Sequence, residues 1–84
     1  RVRKAVARLK TLANTEEDFP YPDKVQKKGT WITIKFHGVD VEDLEKIQRV
    51  LNAEGITKYQ VKTNEQGGGG RTWTNTLINI PYEQ

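Results

Sequence analysis

The chain has no cysteine, no methionine and no serine, and it holds a single histidine among its 84 residues. Without thiols there is no disulfide framework, no thiolate metal site and no cysteine nucleophile. One histidine and no cysteine leave no zinc site, and the carboxylate runs match no calcium loop, so no metal and no cofactor is expected. A serine nucleophile is excluded, and the threonines, which fall mostly in strand-like runs, form no nucleophile elbow. No uninterrupted apolar run exceeds three residues, so no segment is expected to span a membrane. None has the basic-then-apolar layout of a signal peptide, and a cytoplasmic location is the expectation. Apolar residues make up 35% and charged residues 30% of the chain, with a mean hydropathy of −0.78. That is polar for a folded domain, yet far from the low hydrophobicity and high net charge of a disordered one. The length fits one small domain over 1–84, burying roughly 60–65% of its unfolded surface around a modest core.

What the chain does have is charge in blocks. The net charge is +3. Residues 1–15 carry five basic groups and no acid, and residues 16–23 carry four acids and no base. Residues 24–38 add four lysines, residues 39–55 are net acidic, and residues 56–84 are nearly balanced. Blocks of this kind carry more information about surfaces than the sum does.

Hydrophobic periodicity predicts the elements. Val2, Ala5, Val6, Leu9, Leu12 and Ala13 recur at three- and four-residue spacing, which predicts a basic amphipathic helix over 1–14. Residues 15–29 read as a connection, because Phe19-Pro20-Tyr21-Pro22 forces extended backbone and Lys27-Lys28-Gly29 reads as a turn. Residues 30–81 then form a β-α-β-β unit. Thr30–His37 is a strand with Ile32, Ile34 and Phe36 on one face and Trp31, Thr33, Lys35 and His37 on the other. Val39–Glu54 is a helix opened by Asp40 and closed by Gly55. Lys58–Thr63 is a strand, residues 64–70 are a glycine-rich loop, and Arg71–Ile80 is the last strand. Trp73 and Leu77 share one parity there and Ile78 and Ile80 the other, so a β-bulge near Asn75 or Thr76 is expected. The fold class is α+β in the order α-β-α-β-β: a three-stranded mixed sheet with two helices. The two strands flanking the second helix pair in parallel through a crossover. The layout is similar in style to half of a ferredoxin-like fold, which speaks of architecture and not of function.

No motif carries catalysis. His37 has no positioned partner in the sequence, since Asp40 is taken by the helix cap. Gly67-Gly68-Gly69-Gly70-Arg71-Thr72 lacks the lysine and the following helix of a phosphate loop and reads as a hairpin connection. Glu42, Asp43 and Glu45 suit a helix N-terminus. The chain is therefore read as no enzyme.

The most informative constellation is the second face of the sheet. Alternation places Trp31, Lys35, Lys58, Lys62 and Trp73 there, with Arg71 beside them. Aromatic rings next to lysine and arginine suit nucleic acid, because bases stack on the rings while the cations meet phosphates. Arg1, Arg3, Lys4, Arg8 and Lys10 on the first helix are further candidates for phosphate contact, and Lys27 and Lys28 extend the footprint. The expected function is a small nucleic-acid-binding or nucleic-acid-associated accessory protein. The alternative is a protein-interaction adaptor or inhibitor, homodimeric or with a protein partner. It would act through an edge formed by the strand at residues 72–80 and through exposed Phe19, Tyr21 and Tyr82. The sequence leaves open which face the first helix covers. If it packs on the second face, Trp31 and Trp73 join a second small core and the lysines become its rim.

Overall fold

A computed structural model describes residues 1–82, apart from the side chains at 65, 66 and 71–73. The elements are α1 (Val2–Thr15), β1 (Pro22–Lys28), β2 (Trp31–His37), α2 (Val41–Ala53), β3 (Gln60–Gly68) and β4 (Arg71–Pro81). The class is α+β with two helices, as the periodicity predicts, but the sheet has four strands in the order β1-β2-β4-β3. Every neighbouring pair is antiparallel, so the expected three-stranded mixed sheet is corrected on both counts.

The additional strand, β1, lies inside the segment read as a connection. Its only described register shift falls between Pro22 and Lys24. β2 and β3 do run in the same direction, but β4 is inserted between them, which makes β2-α2-β3 a split β-α-β unit. Strand order and directions are those of the ferredoxin-like β-α-β-β-α-β arrangement. The difference is that the central strand β4 follows β3 along the chain instead of preceding α1. The β-bulge expected in β4 is absent: its register runs unbroken from Arg71 to Pro81 across its two partners. The glycine-rich loop is shorter than its composition suggests. β3 continues to Gly68, and the turn is Gly69-Gly70, both at positive φ (62° and 78°) as a tight two-residue hairpin demands.

α2 is well specified at both ends. Asp40 Oδ1 accepts from the Asp43 N–H at 2.8 Å, satisfying a donor of the first turn. At the other end the N–H groups of Gly55 and Ile56 donate to the carbonyls of Asn52 and Leu51 at 3.0 and 2.9 Å. This closure needs the left-handed φ of +81° at Gly55, and it folds Ile56 back into the core with Leu51. α2 has no basic residue in its last turn, and α1 supplies that charge from outside. Arg8 Nη1 lies 3.2 Å from Glu54 Oε1, and the Arg1 side chain passes 3.4 Å from where a Cβ on Gly55 would stand. Gly55→Ala is therefore expected to lower stability by about 1–2 kcal/mol. A urea midpoint shifted down at unchanged m would record it, and an unshifted midpoint would show that the turn relaxes freely.

One core holds the molecule together. Val2, Ala5, Val6 and Leu9 of α1 and Ile47, Val50 and Leu51 of α2 share a single buried cluster with Ile32, Ile34, Phe36, Ile78 and Ile80 of the sheet. Both helices thus lie on the same face, and the domain has two layers. This settles the placement that the sequence leaves open. The physical cause is the distribution of apolar area. One face of the sheet presents Ile32, Ile34, Phe36, Ile78 and Ile80, a continuous apolar surface on which the apolar stripe of α1 can be removed from water. On that other face, a covering helix would have to desolvate lysines. Among the described residues, no helix is long and apolar enough to cross a membrane.

Candidate nucleic-acid interface

The uncovered face is built from residues that pair directly across strands, so its layout follows from register. Next to the β1–β2 turn, Lys28 stands opposite Trp31, and Trp31 opposite Pro81. Beside them runs a row of uncharged polar groups, Gln26, Thr33, Asn79 and Gln60. The next row is cationic: Lys24 opposite Lys35, then Leu77, then Lys62. Beyond it come His37, Asn75 and Asn64. With strands about 4.8 Å apart, Lys24 and Lys35 are close like charges, a mildly destabilising pair in the absence of a counter-charge. The cross-strand pairs of this face contain no acid, although exposed Asp23 sits in the register shift next to Lys24, and no ion pair among the described residues involves Lys24, Lys28, Lys35 or Lys62.

The face is also preorganised. Thr33 Oγ1 donates to Asn79 Oδ1 at 2.7 Å, from β2 to β4. His37 Nδ1 and Asn75 Oδ1 are 3.0 Å apart, so the imidazole N–H donates to a side chain that is itself buried. His37 thus has a cross-strand structural partner. Trp31 is one of the few large apolar side chains left exposed among the described residues, at 37%. Beside it lies a shallow hollow of about 270 Å³, lined by Lys28, Trp31, Thr33, Gln60 and Asn79. No group of three or more His, Asp or Glu side chains that could hold a metal ion occurs among the described residues.

The candidate residues separate into two sets. Lys28, Trp31, Lys35 and Lys62 come together on the uncovered face. Arg1, Arg3, Lys4, Arg8 and Lys10 belong to α1, on the opposite side of the sheet, and are not brought together with them. Arg8 is engaged with Glu54. Lys27 pairs with Ile32 and so faces the helices. Its Nζ stands 4.5 Å from the centre of the Tyr82 ring, which Arg3 approaches to 5.7 Å from α1. These cation–π contacts give Arg3, Lys27 and Tyr82 a structural role where β4 ends. Lys58 is exposed just before β3. The side chains of Arg71 and Trp73 lie outside the described residues. Sequence reasoning missed Lys24 and Asn79, whose positions depend on β1 being a strand and on β4 being unbulged.

The premise of the adaptor reading changes as well. β4, the long Thr- and Ile-rich strand, is hydrogen-bonded on both sides and is not an edge. β1 is an edge, but it carries Lys24, Lys27 and Lys28, the residue type that discourages strand addition. Phe19 is packed on the core and Tyr82 is half-buried, leaving Tyr21 as the exposed member of that aromatic set.

No protein-family model, no curated protein and no solved structure matches the chain. Fold and face together define a two-layer α+β domain with one uncovered, cationic sheet face.

Proposed function

We propose that this is a non-enzymatic nucleic-acid-binding accessory domain that works through the uncovered face of its sheet. The observation that carries the reading is the combination of Lys24, Lys28, Lys35 and Lys62, none of them in an ion pair among the described residues, with exposed Trp31 on one face. Phosphates can pair with these lysines, which form no ion pair among the described residues, and their neutralisation releases condensed cations. The cations of α1 lie on the opposite layer of the domain, so a strand lying on the uncovered face does not meet them. That reduces the footprint to the sheet face.

Fluorescence anisotropy of a labelled oligonucleotide, titrated over a range of salt, tests this. Three or four phosphate contacts give a log–log slope of about −2 to −3 for a single strand. Tight binding that salt leaves unchanged, or no binding at low salt, would end the reading. Salt-tolerant retention of a protein in place of an oligonucleotide would point to an interaction module.

A further inference from the structure

We infer that the hollow beside Trp31 is a seat for one unpaired nucleobase, and that the face selects single strands over duplex. This rests on the reading of the face as a nucleic-acid interface and adds to it the form of the ligand. A site that needed charge alone would be indifferent to strandedness. Three features of this face are not indifferent.

The first is the accessible indole. Trp31 sits at one end of the face with more than a third of its surface in water, beside a shallow hollow. Its ring can stack on a base only if that base has left its own stack, which duplex bases do not do. The second is size. The hollow is shallow and open, about 270 Å³, and leaves room beside the Trp31 ring for one planar group laid against it from solvent.

The third is the chemistry of its floor. The Thr33 hydroxyl occupies Asn79 Oδ1, which leaves the Asn79 amide nitrogen to donate. A donor beside a stacking ring meets the carbonyl oxygens and ring nitrogens on the edge of a base. Thr33 acts here as a positioning residue, since it fixes which end of the amide faces the hollow. The lysine row lies one polar row further along the strands, roughly 7–14 Å from the hollow at about 3.4 Å per residue, within reach of the phosphates of adjoining nucleotides. A duplex groove, by contrast, accepts a helix or a two-stranded ribbon and not a flat four-stranded face.

The test compares single-stranded DNA, single-stranded RNA and duplex of the same sequence, each of about 8 nucleotides, by anisotropy at one salt concentration. Either single strand is expected to bind at least roughly tenfold tighter than duplex, and the better of the two identifies the preferred sugar. Trp31→Ala is expected to weaken single-strand binding roughly tenfold, while duplex binding and the salt slope stay put and Trp31→Phe restores most of the loss. Thr33→Val is expected to alter the preference among homopolymers without changing the salt slope. In a Trp73→Phe protein, emission from Trp31 alone should be quenched by single strands. Should that protein fail to fold, the anisotropy comparison of Trp31→Ala with the unsubstituted chain decides.

Equal affinity for single strand and duplex, with Trp31→Ala binding both as before, overturns the inference. It leaves the cationic face intact as a non-selective interface. Absence of binding to all of these ligands overturns both.

Discussion

Phe36→Ala is expected to destabilise the domain by about 3–5 kcal/mol, the usual loss for a large aromatic removed from a core that cannot collapse around the gap. Phe36 is completely buried in β2, with Pro22 of β1 on one side and Thr76 of β4 on the other. It is flanked by rigid strands, so little can move in to fill the cavity. A chain of this length has a total stability of roughly 4–13 kcal/mol, so the variant retains a small margin or none. Phe36→Leu, which keeps most of the volume, is expected to cost less than about 1.5 kcal/mol. Val41→Ala, at a side chain 73% exposed on α2, should stay within about 0.5 kcal/mol. Urea denaturation followed by circular dichroism ranks the three. A Phe36→Ala loss no larger than that of Val41→Ala would mean that the single core described above is not what holds the sheet to its helices.

The parts of this core that were legible in the sequence are those where one signal suffices. The alternation of Ile32, Ile34 and Phe36 declares β2, and Asp40 and Gly55 bracket α2. β1 escaped because an edge strand needs little apolar alternation: between Pro22 and Lys28 only Val25 is apolar. A proline at the first position of an edge strand is tolerated, so it gave no reliable stop signal. Missing β1 also misplaced Lys27. Adjacent residues of a strand point to opposite faces, so Lys27 and Lys28 could not both belong to the interface. Leu77 misled in another way. It is half-buried on the open face between Lys35 and Lys62, where lysine stems can cover an apolar neighbour. An apolar residue in such a place imitates a core position and invites a bulge that does not exist. The insertion of β4 between β2 and β3 was not legible at all, since order along the chain does not fix order across a sheet. The interface was half legible: parity within β2 and β3 gives Trp31, Lys35 and Lys62, but only register with β1 and β4 adds Lys24 and Asn79.

Replacing Lys24, Lys35 and Lys62 together by glutamate is expected to weaken oligonucleotide binding by roughly two orders of magnitude at low salt, the largest functional effect available from this face. The neutral triple of glutamines separates charge from shape: it should retain weak binding while flattening the salt slope by about 2 units for three lost contacts with a single strand. In the glutamine triple, stability moves little or in the opposite direction, whereas the glutamate triple keeps a like-charge pair of the other sign and should hold roughly the stability of the unsubstituted chain. Lys24 and Lys35 face each other across β1 and β2, and relieving a like-charge cross-strand pair is worth a few tenths of a kcal/mol, on the order of other such pairs. A glutamate triple that loses its ligand while holding its urea midpoint, beside a glutamine triple that holds or raises it, cannot have lost binding by unfolding. The matching control lies on the other layer. Lys4→Glu with Lys10→Glu reverses two cations of α1, both exposed, and is expected to change affinity less than about threefold, as distant, screened charges do. The two variants answer opposite questions about the same electrostatic attraction. If the α1 pair abolishes binding and the sheet triple does not, nucleic acid meets the helical layer, and the uncovered face must find another explanation for its lysines.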